Sequence, residues 1–208
     1  AASDVYKRQD YLTNPVAIQA DSIWLGWKLD VYNGKNRNKM QSAYQILVAS
    51  DSLLLFDNTG DLWNSGKVNS SQSQQILYKG KALVSRQHVY WKVRVWDEND
   101  QVTEWSTIAN WTIGLEPVDW MASWISNRED DTPLEANVAP SPFFRKNIEV
   151  VKEIKNARAY ICGLGFYEMY INGDRIGDQV LAPAVTNYDK RIIEHILYPY
   201  DDCLLYTS

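Results

Sequence analysis

Side chains able to do chemistry gather most densely in Asp178–Arg191. There Asp178, Asn187, Tyr188, Asp189 and Arg191 bring carboxylates, an amide, a phenol and a guanidinium into one short segment. Such groups form fans of hydrogen bonds, and beside an aromatic ring they are the ingredients of a site for a polyhydroxylated ligand. A competing reading gives the same residues structural work: Asp178 and Asn187 cap turns, while Tyr188 and Arg191 pack against the preceding domain. Elsewhere the chemistry is thin. His88 and His195 stand apart with no second Cys or His at ligand spacing, so a zinc site is not expected. Gly163-Leu164-Gly165 supplies the first half of a dinucleotide fingerprint. Glu168 stands where the third Gly belongs, and a strand pattern follows instead of a helix, so the segment reads as a close-packed turn. Asn69-Ser70-Ser71 and Asn110-Trp111-Thr112 fit the glycosylation acceptor pattern, a triplet that chance often produces.

The elements that must position these groups are strands. Two alternating runs meet at Asn172-Gly173, a pair that tolerates the positive φ of a type I′ turn, so a hairpin is expected there. Its first strand, Phe166–Ile171, has Tyr167, Met169 and Ile171 on one face and Phe166, Glu168 and Tyr170 on the other. In the first half of the chain, Ile23, Leu25, Trp27 and Leu29 alternate with Trp24, Gly26 and Lys28. Ala43–Ser50, Trp63–Val68 and Ile76–Tyr78 are further strands, with a short turn or helical piece after Asp51. In His88–Asp97 the residues Val89, Trp91, Val93 and Val95 share one face, and Tyr90, Lys92, Arg94 and Trp96 the other. A final strand is expected to begin at Trp105-Ser106 and close at Asn110–Leu115. About seven short strands at this spacing, with no Cys pair to staple them, predict a β-sandwich of the fibronectin III variant of the immunoglobulin class. Gly114–Asp119 breaks the pattern and is expected to be a domain boundary. Beyond it, Asn127–Pro142 reads as an exposed loop, and Phe143–Val150 and the segment from Val151 to Gly165 as strands. The fold class is all-β: residues 10–115 as a fibronectin III/immunoglobulin-like module, and residues 116–202 as the first half of a jelly-roll-like one.

Composition bounds the function further. Across 208 residues there are nine Trp and thirteen Tyr against four Phe, a balance suited to sheets and sugar-facing surfaces. A net charge of −5 with signs mixed is not the basic stripe a nucleic-acid surface needs. No apolar run is long enough to span a bilayer. The ends carry a different signal. Asp4–Gln9 and Cys203–Ser208 can be encoded by the two complementary strands of one transposon-end sequencing adaptor. Residues 1–9 and 203–208 are therefore expected to be translated adaptor and are set apart from fold reasoning. That leaves Cys162 alone, a small buried hydrophobe within a strand pattern. It also makes the chain a piece of a longer protein. The compartment stays open, with periplasm or exterior favoured over cytoplasm.

The stretch "GLGFYEMYINGDRIGDQVLAP…TNYDKR" (Gly163–Arg191) resembles the N-terminal module of bacterial α-L-rhamnosidases, large inverting glycoside hydrolases. "GDLWNSGKV" (Gly60–Val68), "YWKVRVWD" (Tyr90–Asp97) and "WMASWI" (Trp120–Ile125) resemble the same family, so the likeness covers nearly all of residues 14–201. The chain departs from it at Ala184-Val185, where the family has Gly-Trp, and at Asn187, where it has Asp. Inversion uses two carboxylic acids about 6.5–9.5 Å apart. The resemblance places them in a downstream (α/α)6 barrel, whose helical pattern this sequence lacks, so the chain is expected to be catalytically silent. It implies rhamnose-containing glycans or glycosides and the missing barrel as partners. It makes Asp178, Asn187, Tyr188 and Arg191 the substrate-binding candidates. Calcium, which prefers oxygen ligands, is the candidate ion, because some relatives bind rhamnose with its help. A different class stays open: a stand-alone carbohydrate-binding or adhesion protein built from sandwich modules.

Overall fold

The structure, a computed structural model, describes residues 5–9, 13–29, 40–126, 141–151, 157–178, 180–183 and 196–200. In chain order its strands are β1 (Val5–Gln9), β2 (Trp24–Leu29), β3 (Gln41–Ala49), β4 (Trp63–Asn64), β5 (Val68–Asn69), β6 (Ile76–Leu77), β7 (His88–Asp97), β8 (Ala109–Thr112), β9 (Ala157–Ile161), β10 (Met169–Ile171), β11 (Asp174–Ile176) and β12 (Ile196–Tyr200). The fold is all-β; its helical pieces among the described residues are α1 (Ser52–Phe56) and a 3-10 turn at Pro117–Asp119.

The first region is a two-sheet sandwich. One sheet has the order β1-β2-β6, the other β4-β3-β7-β8, with β5 also paired to β3. Alternation along each strand decides what lies between them. Leu25 and Trp27 from β2 meet Ile46 and Val48 from β3, and Val89, Trp91 and Val93 from β7. The faces expected for Ile23–Trp27 and Val89–Val95 are thus the buried ones, while Leu29 at the strand end is exposed. Edge-to-face ring contacts thread this core: Trp27 with Tyr44 at 5.1 Å, Tyr78 with Trp111 at 6.2 Å, Trp91 with Trp111 at 6.5 Å. The indole N–H of Trp27 donates to Gln41 Oε1 at 2.9 Å. The amide of that buried Gln41 in turn donates to the carbonyls of Ser70 and Gln72.

The outer face of β7 is held by charge over rings. Lys92 lies 4.7 Å and Arg94 4.6 Å from the Trp105 ring; Arg94 also lies 5.2 Å and Lys67 4.9 Å from that of Trp96. Buried Lys92 donates to the carbonyl of Leu55, at the end of α1, and to Asn58 Oδ1. Burial, and then the neighbouring Arg94, hold its ammonium below the ordinary lysine pKa.

Three expectations need correction in detail. Trp63–Val68 is not one strand: Ser65 Oγ accepts the Ile46 N–H that a ladder carbonyl would take, so pairing splits into β4 and β5. Trp105-Ser106 begins no strand; Thr103 and Ser106 follow β7 through their amides and hydroxyls instead, and β8 starts at Ala109. Phe143–Val150 is not a strand either. It pairs with nothing among the described residues, and without a neighbour an extended segment has no ladder to form. Val5–Gln9, set apart above, lies antiparallel to β2 over five residue pairs. A ladder joins main-chain groups common to all residue types, so this pairing carries no information on the origin of those five residues.

The second region is built from two pairs, β9 with β12 and β10 with β11. The expected hairpin is present: Ile171 pairs with Asp174 across Asn172 (φ 52°) and Gly173 (φ 96°). Phe166–Glu168 precede the ladder, which starts only at Met169. Among the described residues no helix is long and apolar enough to cross a membrane.

Candidate functional site

Of the residues singled out for ligand contact, Asp178 is described. Asn187, Tyr188, Asp189 and Arg191 lie outside the described residues, so the structure does not bring the set together. Asp178 is exposed, just after β11 and Gly177. The chain beyond it returns to the hairpin: the amide of Tyr167 donates to the carbonyl of Ala182 at 3.0 Å, and Pro183 is buried. Tyr167 is the post of this arrangement, its hydroxyl donating to the carbonyl of Ile161 at 3.3 Å. A Cβ on Gly163 would sit 2.7 Å from the Tyr167 ring, which explains the glycine without any phosphate.

The hairpin that precedes Asp178 carries a cluster of which alternation could have found the Glu168–Tyr170 half. Glu168 and Tyr170 share a face, and the register sets Arg175 directly opposite Tyr170. The Tyr170 hydroxyl donates to Glu168 Oε2 at 2.8 Å, and Arg175 lies 3.4 Å from Glu168 Oε1. That hydrogen bond is the main reason the Tyr170 phenol is pushed above its ordinary pKa. An exposed ring, a carboxylate and a guanidinium in contact suit hydrogen bonding to hydroxyls.

Among the described residues the buried polar side chains are Gln41, Lys92 and Thr112. Burial pushes the Asp61 carboxyl up, but hydrogen bonds from Ser50 and the nearby Lys81 outweigh it and leave it below the ordinary value. Among the described residues no three His, Cys, Asp or Glu gather to hold a metal ion.

A concavity lies between the two regions. A cleft of about 440 Å³ is lined by Arg86, His88, Arg158 and Tyr160. Arg158 and Tyr160 lie two residues apart on β9, the spacing that puts side chains on one strand face, while Arg86 stands in the turn before β7 and His88 at the first residue of that strand. Nothing in the sequence says that these distant pairs meet.

The comparisons fit this geometry. Residues 6–116 match the model of the Rha78A-like N-terminal immunoglobulin domain, and residues 152–198 that of the α-L-rhamnosidase N-terminal domain. An α-L-rhamnosidase of Formosa agariphila is 38% identical over 197 residues, taking in 86% of this chain and 20% of the relative. The solved α-L-rhamnosidase of Dictyoglumus thermophilum superposes with a TM-score of 0.81 at 36% identity, over 95% of this chain and 23% of that one. The Aspergillus terreus α-L-rhamnosidase gives a TM-score of 0.68 at 26% identity, over 97% and 22%. The chain thus spans about one fifth of the length of the relatives it matches. With more than half of its residues inside the first family model, the chain belongs to the α-L-rhamnosidases, through that family's N-terminal immunoglobulin-like domain.

Proposed function

We propose that this chain is the N-terminal, non-catalytic part of an α-L-rhamnosidase that hydrolyses terminal α-L-rhamnosides with inversion. The observation that carries the reading is the succession of two N-terminal family matches in a chain covering a fifth of its relatives. Residues 10–115 act as the fibronectin III-like module, and residues 116–202 as the first half of the jelly-roll-like one. Their work is to scaffold a downstream helical barrel that supplies both acids, and to help present rhamnose-bearing glycans to it. Met121, Trp124, Phe143 and Phe144 are exposed apolar side chains suited to lie against that remainder.

Extending the reading frame in the source DNA tests this. A helical barrel with paired acids is expected; a stop soon after the second sandwich closes, or further sandwich modules, would overturn it in favour of a stand-alone adhesion or carbohydrate-binding protein. The curated relatives do not favour that alternative, since those matched are enzymes.

Within this reading, Asp178, Asn187, Tyr188 and Arg191 contact rhamnose. Support comes from the exposure of Asp178 and from the Glu168–Tyr170–Arg175 cluster on the hairpin that leads to it. Calorimetric titration of L-rhamnose into protein with a complete second domain, with and without calcium, is the check. Saturable heat lost on Asp178→Ala is expected. No heat at millimolar sugar would make the module a spacer.

A further inference from the structure

We propose that the cleft between the two regions is a binding site for an anionic substituent of a glycan, a uronate carboxylate or a sulfate ester. The anion half of this inference rests on the cleft alone; the glycan half rests on the family reading.

Two of the four lining side chains, Arg86 and Arg158, are permanent cations whose guanidiniums donate hydrogen bonds, and none of the four is acidic. Among the described residues neither guanidinium has a carboxylate partner. Arg158 reaches only the Arg86 carbonyl, at the 3.5 Å limit of a hydrogen bond. Two arginines converging on one concavity without a counter-ion repel each other, and an anion between them removes that repulsion while accepting forked hydrogen bonds. The volume is that of a site for one or two sugar rings.

The supports are firm, as a binding site needs. Arg86 stands in the left-handed region (φ 66°), its amide shared between the carbonyls of Ile113 and Gly114 at 3.2 and 3.3 Å. The turn that carries it is clamped on both sides: Val84 and Gln87 bond each other, and Ser85 Oγ accepts the Glu116 amide at 2.8 Å. Asp119 is engaged by the Ser85 hydroxyl, and neither Asp119 nor Glu116 lines the cleft. His88 is stacked on Tyr90 at 4.5 Å and lies 3.1 Å from Asn110 Oδ1, so its ring is fixed at the wall. On the facing wall, Arg158 and Tyr160 project from β9. One wall belongs to each family-matched segment, so a ligand here bridges the modules.

The test titrates the 208-residue chain with methyl β-D-glucuronide, glucose 6-sulfate, neutral methyl β-D-glucoside and inorganic sulfate, followed by amide chemical shifts or calorimetry. Saturable binding of a charged sugar, with none of the neutral one, is expected; which charged sugar binds tells carboxylate from sulfate ester. Arg86→Gln and Arg158→Gln should each weaken it at least about tenfold, the value of one lost charge-assisted bond. Both guanidiniums lie outside the hydrophobic core, so unchanged melting of the two variants shows that folding is not the cause. Equal binding of the neutral sugar, or indifference to both substitutions, would overturn the site. Inorganic sulfate binding as tightly as either sugar would overturn the glycan half. A reading frame without a barrel would remove the family reading yet leave the anion result standing.

Discussion

The two regions are written in the same alphabet of alternating apolar and aromatic residues, yet they bury them very differently. In the sandwich, β2 and β7 face each other across Trp27, Trp91 and Trp111, each at most 1% exposed. In the second region, β9 and the β10–β11 hairpin have no opposing layer among the described residues, and Phe143, Met121 and Ile148 are 100%, 93% and 76% exposed. Alternation makes a strand capable of having a dry face; only a second sheet makes that face dry. The hydrophobic term should therefore be concentrated in the first region.

The largest effect is expected from Trp91→Ala, which should lower stability by about 3–5 kcal/mol in denaturant unfolding followed by tryptophan fluorescence. The paired control is Trp124→Ala, at a residue 65% exposed, expected to stay within about 0.5 kcal/mol. Similar losses at both positions would mean that the second region has a core of its own.

Next in size is Gln41. Gln41→Leu strands the Trp27 indole N–H and the carbonyls of Ser70 and Gln72, at a cost of about 1–3 kcal/mol. A loss below that range, with Trp27 fluorescence unchanged, would show water replacing the amide. In the second region the comparable single-residue test is Gly173→Ala. Its φ of 96° is strained for any residue with a Cβ, by about 1–2 kcal/mol. Amide exchange should rise at Met169–Ile176 while the melting of the sandwich stays put. A global shift would contradict the separation of the two regions.

What the sequence disclosed follows the same division. The faces of Ile23–Trp27 and Val89–Val95 were legible because period-2 alternation is local, and so was the Asn172-Gly173 reversal, whose φ requirement lies within two residues. Phe143–Val150 misled because alternation states a capacity to pair and says nothing of a partner. The split of Trp63–Val68 turned on one hydroxyl, Ser65, competing for one amide. The site was less legible still. The Arg86 and Arg158 pairs approach through tertiary folding across a long sequence separation, and only the Glu168–Tyr170 half of the hairpin cluster could have been read by alternation.

The smallest effects come from two tyrosines whose phenols are both pushed upward, for opposite reasons. Tyr78 is raised to about 12 chiefly by burial against the sandwich, with Asp61 adding to it, whereas exposed Tyr170 is raised chiefly by its hydrogen bond to Glu168. In each case the folded state holds the proton more tightly than the unfolded chain. The stabilisation is therefore complete below the ordinary phenol pKa of 10.0 and is lost as pH rises through the folded value, between 10.0 and about 12 for Tyr78. Glu168→Gln removes the charge that accepts the Tyr170 bond, so that phenol should return toward the ordinary value while Tyr78 does not move. Molar salt should act in the same direction and more on Tyr170 than on Tyr78, because screening reaches exposed pairs, including the smaller Asp61 contribution at Tyr78, and leaves desolvation untouched. Difference absorbance at 295 nm, with Tyr78→Phe and Tyr170→Phe to assign the two steps, separates them. A Tyr78 titration that moves with salt as far as that of Tyr170 would mean that its ring is wet, and that the edge of the sandwich near β6 is as open as the hairpin.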